Sequence, residues 1–179
     1  MFVSGFTFIN QAVRFDYPIV EAILSILPIC DEVVVAVGDA QDGTRALIED
    51  IDSDKIRIVD TVWDHSLRAG GRVLAVETDK AYAHISPDAD WAVYIQGDEV
   101  LHERDLPRIR EAMERLLPRH DVDGLLFDYK HFYGSYDFVG ASDRWYAHEV
   151  RVVRAVPVSY THLRAHETKA NLVCRLLLE

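Results

Sequence analysis

Two short polar segments contain the side chains best suited to bind a charged ligand. The first is Asp39-Ala-Gln-Asp42-Gly43-Thr44 and the second is Gln96-Gly97-Asp98-Glu99, and each follows an apolar run. Carboxylates at a turn can hold one hard cation through their oxygen atoms and leave coordination positions for water and phosphate. The adjacent carboxylates of the second segment therefore indicate a site for a hard cation, Mn2+ or Mg2+, with a phosphorylated ligand. The alternative for the first segment is an ordinary turn in which Asp42 or Thr44 caps the next helix, and for the second it is a turn in which Glu99 is only solvated.

The overall charge limits which partners the protein can have. The chain contains 19 Lys and Arg against 30 Asp and Glu, which gives a formal net charge of -11. Such a field repels phosphate backbones, so we expect no nucleic-acid partner. A single phosphorylated ligand would need a cation, an arginine or helix N-terminal amides beside it. Gly70-Gly71 before Arg72 is too short for a P-loop or a dinucleotide fingerprint, although it could present such amides.

The segments are embedded in an alternation of apolar strands and helices. Predicted strands cover residues 2–8, 32–37, 55–62, 91–95, 124–129 and 149–153, and predicted helices cover 17–27, 44–51, 71–84 and 106–117. This alternation indicates an α/β fold, with a mostly parallel sheet and helices on both faces. Ligands of such sheets bind beyond the carboxyl ends of the strands, which is where both acidic segments fall.

Length and composition are those of a globular protein without a membrane segment. A hydrophobic fraction of 49% excludes disorder, and 179 residues suit one domain with a sizeable core. No apolar stretch reaches transmembrane length and no signal peptide is recognisable, so we expect a cytoplasmic protein, with peripheral membrane association left open. Cys30 and Cys174 are too few for a disulfide framework, and we expect Cys30 in the core. His65, His84 and His120 are expected at the surface.

The order and separation of four segments resemble those of family 2 glycosyltransferases, which have the GT-A fold. The segments are the opening strand Val3-Ser-Gly-Phe-Thr-Phe with Asn10, the acidic segment 38–44, Arg68-Ala-Gly-Gly-Arg72 before a helix, and Tyr94-Ile-Gln-Gly-Asp98-Glu99. The resemblance covers roughly residues 2–155. It implies a GT-A (Rossmann-like) sheet that is incomplete at its C-terminal end. Residues 1–100 would form the nucleotide-sugar-binding half, and 101–157 the start of the acceptor-binding half.

The resemblance also implies roles in nucleotide binding for five residues. Asp39 would hydrogen-bond the base, most often uracil, with the backbone of Thr7 nearby. Asp42 would support the base or the ribose. Arg72, with Arg68 as the second choice, would contact the diphosphate or the base.

The metal motif of the family falls on the second acidic segment. Asp98 would be the metal ligand, and Glu99 would flank the metal or contact the sugar. Gln96 replaces the first acid of the usual motif. Its amide oxygen can accept from a ribose or bind metal weakly, but it carries no charge. The resemblance therefore implies either a shifted acidic pair, Asp98 with Glu99, or a lower metal affinity.

The reaction implied is inverting transfer of a sugar from a nucleotide-diphosphate donor, a UDP-sugar, to an acceptor hydroxyl. Carbohydrate, lipid-linked and protein acceptors all remain open. The aromatic segment 131–136 and Trp145-Tyr146 are suited to a sugar, with core packing as the alternative for Phe132 and Trp145. The family's catalytic base lies in the acceptor half. Asp137 and Asp143 are in no recognisable base motif, so no base is assigned.

Two other classes of protein are alternatives to this interpretation. A nucleotidyltransferase of related fold would want a glycine-rich, basic stretch after the first strand, and Asn10-Gln-Ala-Val-Arg14 has no glycine. A non-catalytic α/β module, such as a phospho-acceptor receiver domain, would want an acidic pair there, where this chain has Thr7 and Asn10.

The last 22 residues resemble something else. Val158–Thr168 and Leu172–Glu179 resemble a translated sequencing-library adapter, with Lys169–Asn171 in the position of its variable index. We therefore leave residues 158–179 out of functional reasoning. On this interpretation the acceptor half is truncated near Pro157, and we expect the fragment itself to be catalytically inactive.

Overall fold

A mixed β-sheet forms the centre of the fold, in a computed structural model that describes residues 1–67, 71–140, 147–155 and 174–175. Its strands are β1 (Val3–Ile9), β2 (Glu32–Val37), β3 (Ile56–Asp60), β4 (Trp91–Tyr94), β5 (Gly124–Asp128), β8 (His148–Arg154) and β9 (Cys174–Arg175). A separate hairpin consists of β6 (Phe132–Tyr133) and β7 (Ser135–Val139). The strands of the large sheet follow the order β3-β2-β1-β4-β8-β5-β9.

The first four strands are parallel to one another, as the sequence predicts. In β1, Phe6 lies beside Val34 of β2 on one side and beside Tyr94 of β4 on the other. These strands are almost continuously apolar because helices cover both of their faces. The α/β prediction is confirmed, and the ends of the predicted strands and helices differ from the observed ones by at most two residues.

Five helices pack around the sheet within the described part of the chain. They are α1 (Ala12–Phe15), α2 (Ile19–Ile26), α3 (Thr44–Glu49), α4 (Arg72–Tyr82) and α5 (Leu106–Leu116). The buried residues of α2 and α5 join one core cluster with Val3, Val33 and Val93, whereas Ala81 and Tyr82 of α4 join a second cluster with Phe6. Alternate residues of the central strands supply the two clusters, so the two cores lie on opposite faces of the sheet.

Strand β8 enters the sheet between β4 and β5, antiparallel to both. Arg154 at its end lies beside Trp91 of β4, and its guanidinium is 4.5 Å from the centre of the Trp91 ring. The sequence predicts this strand but not its direction or its neighbours. Its position means that the segments 1–100 and 101–157 contribute to a single sheet.

The sequence prediction lacks α1, the β6–β7 hairpin and the short strand β9. The hairpin turns at Gly134, and its aromatic residues Phe132, Tyr136 and Phe138 are exposed. Phe132 and Tyr136 contact edge to face, with ring centroids 5.4 Å apart. The core-packing alternative is therefore wrong for Phe132. Trp145 and Asp143 lie outside the described residues, as does the adapter-like segment apart from Cys174–Arg175.

The structure tests the predictions for three surface histidines and for membrane-spanning segments. His65, His84 and His120 are exposed, as predicted. Over the ranges that the structure describes, we find no helix with both the length and the apolar character that crossing a membrane demands.

Cys30 provides a test of core packing. Its side chain is 1% exposed, and burial raises the pKa of its thiol to about 12. Because the thiolate is the reactive species, we expect no reaction with an aromatic disulfide reagent at mildly alkaline pH while the protein is folded. A Cys174→Ser background leaves Cys30 as the single thiol. Full reaction should follow denaturation, and rapid labelling of the folded variant would show that Cys30 is accessible.

Candidate functional site

The carboxyl ends of β1, β2 and β4 form the edge of the sheet at which the candidate residues collect. Strand β1 lies between β2 and β4, and the chain leaves β1 toward β2 before it returns to the other side with β4. The strand order therefore reverses at β1, which is where open α/β sheets bind ligands. Asn10 follows β1, Asp39 follows β2, and the segment Gln96–Glu99 follows β4.

Gly38 lets two side chains close over the end of β2. A Cβ atom on Gly38 would lie 2.7 Å from Trp63 Nε1 and 2.8 Å from Asn10 Cγ, so a larger residue would clash. Trp63 also packs on Phe8, with ring centroids 5.9 Å apart. Asn10 Oδ1 and Trp63 Nε1 are buried without a hydrogen-bond partner among the described residues. Buried polar atoms are normally partnered, so a ligand here would find an acceptor and a donor next to Asp39.

Asp42 and Thr44 hold the segment that follows β1. Thr44 is fully buried; its Oγ1 accepts from the Ala12 N–H at 2.7 Å and donates to Asp42 Oδ1 at 2.6 Å. Asp42 Oδ2 accepts from the Arg14 N–H at 2.8 Å. Gln11 and Asp16, on either side of α1, both have φ of 55°. Such backbone strain costs about 1–3 kcal/mol per residue, which these hydrogen bonds help to offset.

The hydrogen bonds of Asp42 predict a pH-dependent contribution to stability. Slight burial raises the pKa of Asp42, but hydrogen bonds from Thr44 and from the Arg14 backbone outweigh it and lower that pKa below its ordinary value of 3.8. We expect Asp42→Ala to cost about 1 kcal/mol near neutral pH, the usual net contribution of a hydrogen bond. The contribution is fully present above the unfolded pKa and disappears as the pH falls through the lower, folded pKa.

Urea unfolding at neutral and acidic pH measures this difference. Asp54→Ala is the matched control, because Asp54 is also exposed to solvent and carries the same charge. A difference between Asp42→Ala and wild type that stays constant down to strongly acidic pH would contradict the assignment.

The other residues implied in nucleotide binding occupy different positions relative to this edge. Asp39 is exposed at the edge, and Arg72 is the exposed first residue of α4, which starts at the edge because it follows β3. Thr7 is fully buried within β1, and Asn10 rather than Thr7 lies at the strand's end. Arg68 lies outside the described residues.

The turn after β4 is closed by its own last residue. Glu99 N–H donates to the Gln96 carbonyl, and the Gln96 N–H donates to Glu99 Oε2, both at 3.1 Å. Gly97 packs the turn on β1, since a Cβ there would lie 2.7 Å from Ile9 Cδ1. Asp98 is left exposed between these anchored residues.

Glu99 does not share this exposure, because it is paired with an arginine that the sequence reasoning missed. Arg151 of β8 donates to Glu99 through Nε at 2.7 Å and through Nη2 at 2.6 Å. Glu99 is 8% exposed and Arg151 is 5% exposed. The signal in the sequence is an arginine inside an apolar strand, Glu149-Val-Arg-Val-Val153, where a lone charge would be costly.

Two tyrosines enclose this ion pair. The Arg151 guanidinium lies 5.4 Å from the ring centres of both Tyr94 and Tyr129. Burial raises the pKa of Tyr94 to about 12. Burial also raises the pKa of Tyr129, and the negative charge of the nearby Glu99 carboxylate adds to this effect. Although burial opposes the charge of Arg151, Glu99 raises its pKa, so Arg151 stays charged throughout the physiological range.

Asp98 is the carboxylate of this turn that remains available to a cation. Partial burial raises its pKa, and the nearby Glu99 carboxylate adds to the increase. Among the described residues no cluster of three or more His, Cys, Asp or Glu is arranged to hold a metal. Mg2+ is commonly bound by one or two carboxylates plus substrate phosphates. Asp98 therefore fits a cation that is also coordinated by a phosphorylated ligand, and Glu99 has no free oxygen for a shifted acidic pair.

The strand order and the ligand edge define an α/β, Rossmann-like fold of the GT-A type. Solved structures that share it include a 4-diphosphocytidyl-2C-methyl-D-erythritol synthase from Anaerococcus prevotii DSM 20548. It is 12% identical, with a TM-score of 0.58 over 98% of this chain and 86% of that chain.

Two structures of S. aureus TarS also share the fold, and both are 18% identical. Residues 1–349 in complex with UDP match with a TM-score of 0.51, over 75% of this chain and 37% of that one. A second TarS structure matches with a TM-score of 0.50, over 80% and 23%. No protein-family model and no curated protein matches the sequence.

Proposed function

We propose that the protein binds a nucleoside diphosphate sugar, a UDP-sugar. The reaction would be inverting transfer of the sugar to an acceptor hydroxyl. The observation that carries this proposal is the placement of Asp39 and Asp98 at the ends of β2 and β4, on either side of β1, where the strand order reverses. The fold shared with the UDP complex of TarS supports it. The sequence resemblance to family 2 glycosyltransferases supports the transfer of a sugar.

The base would bind beside Asp39. Along one edge, a uracil ring presents an N–H donor and carbonyl acceptors. A carboxylate and an amide can form hydrogen bonds with these groups. Asn10 Oδ1 and Trp63 Nε1 are buried and without partners in the described ranges, so they would gain hydrogen bonds that the free protein lacks. Because Asn10 directly follows β1, we assign it to the base in place of Thr7.

The diphosphate would lie between the turn after β4 and the start of α4. Asp98 would hold a Mn2+ or Mg2+ ion that the phosphates also coordinate, with Gln96 able to accept from the ribose. When bound, this cation would neutralise charge on the departing diphosphate. Arg72 would add a second positive charge at the same edge, which an acidic protein of net charge -11 needs for an anionic ligand.

Fewer residues support the proposal for acceptor binding. The exposed aromatic rings of Phe132 and Tyr136 on the β6–β7 hairpin are suited to pack against the apolar face of a sugar. Carbohydrate, lipid-linked and protein acceptors remain alternatives. No described carboxylate is assigned as the base.

Calorimetric titration with UDP, with and without Mn2+, tests the proposal. We expect UDP binding that Mn2+ strengthens, and we expect Asp39→Ala to weaken it by about 1–3 kcal/mol, as for a hydrogen bond to a charged group. Asp54→Ala, remote from the edge, should bind as the wild type does. Absence of UDP binding with and without Mn2+ would overturn the proposal.

The nucleotidyltransferase alternative is favoured by the likeness to the diphosphocytidyl-compound synthase, which spans most of both chains. Against it, the stretch after β1 has no glycine and forms α1, which is held through its backbone by Asp42 and Thr44. Parallel titration with CTP separates the two proposals, since tighter Mn2+-dependent binding of CTP than of UDP would favour the nucleotidyltransferase.

A further inference from the structure

The buried ion pair of Glu99 and Arg151 includes the residue that directly follows the exposed Asp98 in the chain. Both Glu99 oxygens accept from Arg151, and Oε2 also accepts from the Gln96 N–H. The Glu99 side chain is thus folded back onto the first residue of its own turn and fixed there by a residue of β8. Asp98 is the adjacent residue, so its direction depends on this closure.

Arg151 has little capacity left to bind an anion itself. Its Nε and Nη2 atoms donate to Glu99, and Nη1 donates to the Val150 carbonyl at 3.1 Å. Glu149 lies 3.6 Å from Nη1, and the rings of Tyr94 and Tyr129 each lie 5.4 Å from the guanidinium. An arginine that bound a diphosphate would keep its donors exposed, whereas this one is 5% exposed. These contacts define a structural partner of Glu99.

The chemistry of the pair fits a precise positioning function. A guanidinium binds a carboxylate through two parallel hydrogen bonds in one plane, which fixes orientation as well as distance. A lysine would keep the charge but lose that geometry. Residues that orient metal ligands from behind typically change metal affinity about 10–100-fold when they are replaced.

We propose that Arg151 is a positioning residue for the nucleotide-cation site: through Glu99 it fixes the turn Gln96–Glu99 and aims the Asp98 carboxylate at the cation. This inference rests on the proposed function, because it assumes that Asp98 holds a cation together with UDP. It adds a residue from β8, which lies in the acceptor half of the sequence, to the donor site.

The experiment compares UDP affinity with and without Mn2+ in the full chain, and the ratio of the two affinities is the readout. We expect Arg151→Lys to lower this ratio about 10-fold or more, with little change in UDP affinity without metal. Arg154→Lys is the matched control, because Arg154 is on the same strand, lies over Trp91 and donates to the carbonyls of Leu116 and Val122 at the opposite end of β4. That variant should lose stability but keep the ratio.

A second variant tests the proposal even if Arg151→Lys fails to fold. Replacing both partners of a buried ion pair by apolar residues of similar volume is often neutral for stability. Glu99→Met/Arg151→Met should therefore stay folded while the metal-dependent ratio falls as in Arg151→Lys. A wild-type ratio in either folded variant would overturn the positioning role and leave the proposed function intact. Absence of UDP binding by the wild type would overturn both.

Discussion

Asp98→Ala is expected to abolish the Mn2+-dependent part of UDP binding while the protein stays folded. Asp98 is exposed at the end of β4, so the loss of its side chain creates no cavity and breaks no core contact. It is the carboxylate of its turn with free oxygens, since Glu99 is fully engaged by Arg151. A hard cation at this turn would therefore lose its charged protein ligand. Titration calorimetry with UDP and Mn2+ measures the effect.

The control for this variant is Asp88→Ala. Asp88 is also exposed, and it precedes β4 where Asp98 follows it, so the two positions lie at opposite ends of one strand. The control removes the same charge at a place where no ligand is proposed. Unchanged Mn2+ dependence in Asp98→Ala would show that the cation does not bind at Asp98. An equal loss of Mn2+-dependent UDP binding in both variants would indicate a general charge effect.

Glu99→Ala is expected to destabilise the fold by about 3–5 kcal/mol, because it leaves the Arg151 charge buried without its main partner. Glu149, which lies 3.6 Å from Nη1, can compensate only in part. The loss is a large fraction of the roughly 5–15 kcal/mol that stabilises an ordinary domain. Urea unfolding followed by tryptophan fluorescence measures it, and the unfolding midpoint should fall with little change in slope.

Glu114→Ala provides the comparison for an ion pair at the surface. Glu114 lies 3.3 Å from Arg110 on α5, and its side chain is 59% exposed. Exposed pairs of this kind contribute about 0–1 kcal/mol. If Glu99→Ala cost no more than Glu114→Ala, the buried pair would have no structural importance.

Much of the fold could be predicted because local patterns determine it. The run Glu32–Val37 is continuously apolar after its first residue, and it forms a strand with those same bounds between β1 and β3. Helix α2 has Ile19, Ile23 and Ile26 on one face, at helical spacing, and all three are buried. The prediction that Asp39 and Asp98 collect at one edge followed from the rule for parallel strands.

The features that escaped prediction depend on contacts between distant segments. The antiparallel direction of β8 is set by its pairing with β4 and β5, which no local pattern records. The partner of Glu99 is 52 residues away in the sequence. The short helix α1 is held by Thr44, the first residue of α3. Gln11 and Asp16, on either side of α1, are non-glycines in a left-handed conformation. Propensity alone argues against such a turn.

The distance between Glu99 and Arg151 along the chain also sets an order of assembly during folding. The four parallel strands are complete at Tyr94, but the contact that closes the next turn requires residues up to 151 to be available. Bringing together residues so far apart carries a loop-closure entropy that short-range contacts avoid. A chain emerging from the ribosome can therefore build its parallel core first, with β4 as a temporary open edge. The Glu99–Arg151 contact that closes the turn would then form later, when β8 covers that edge.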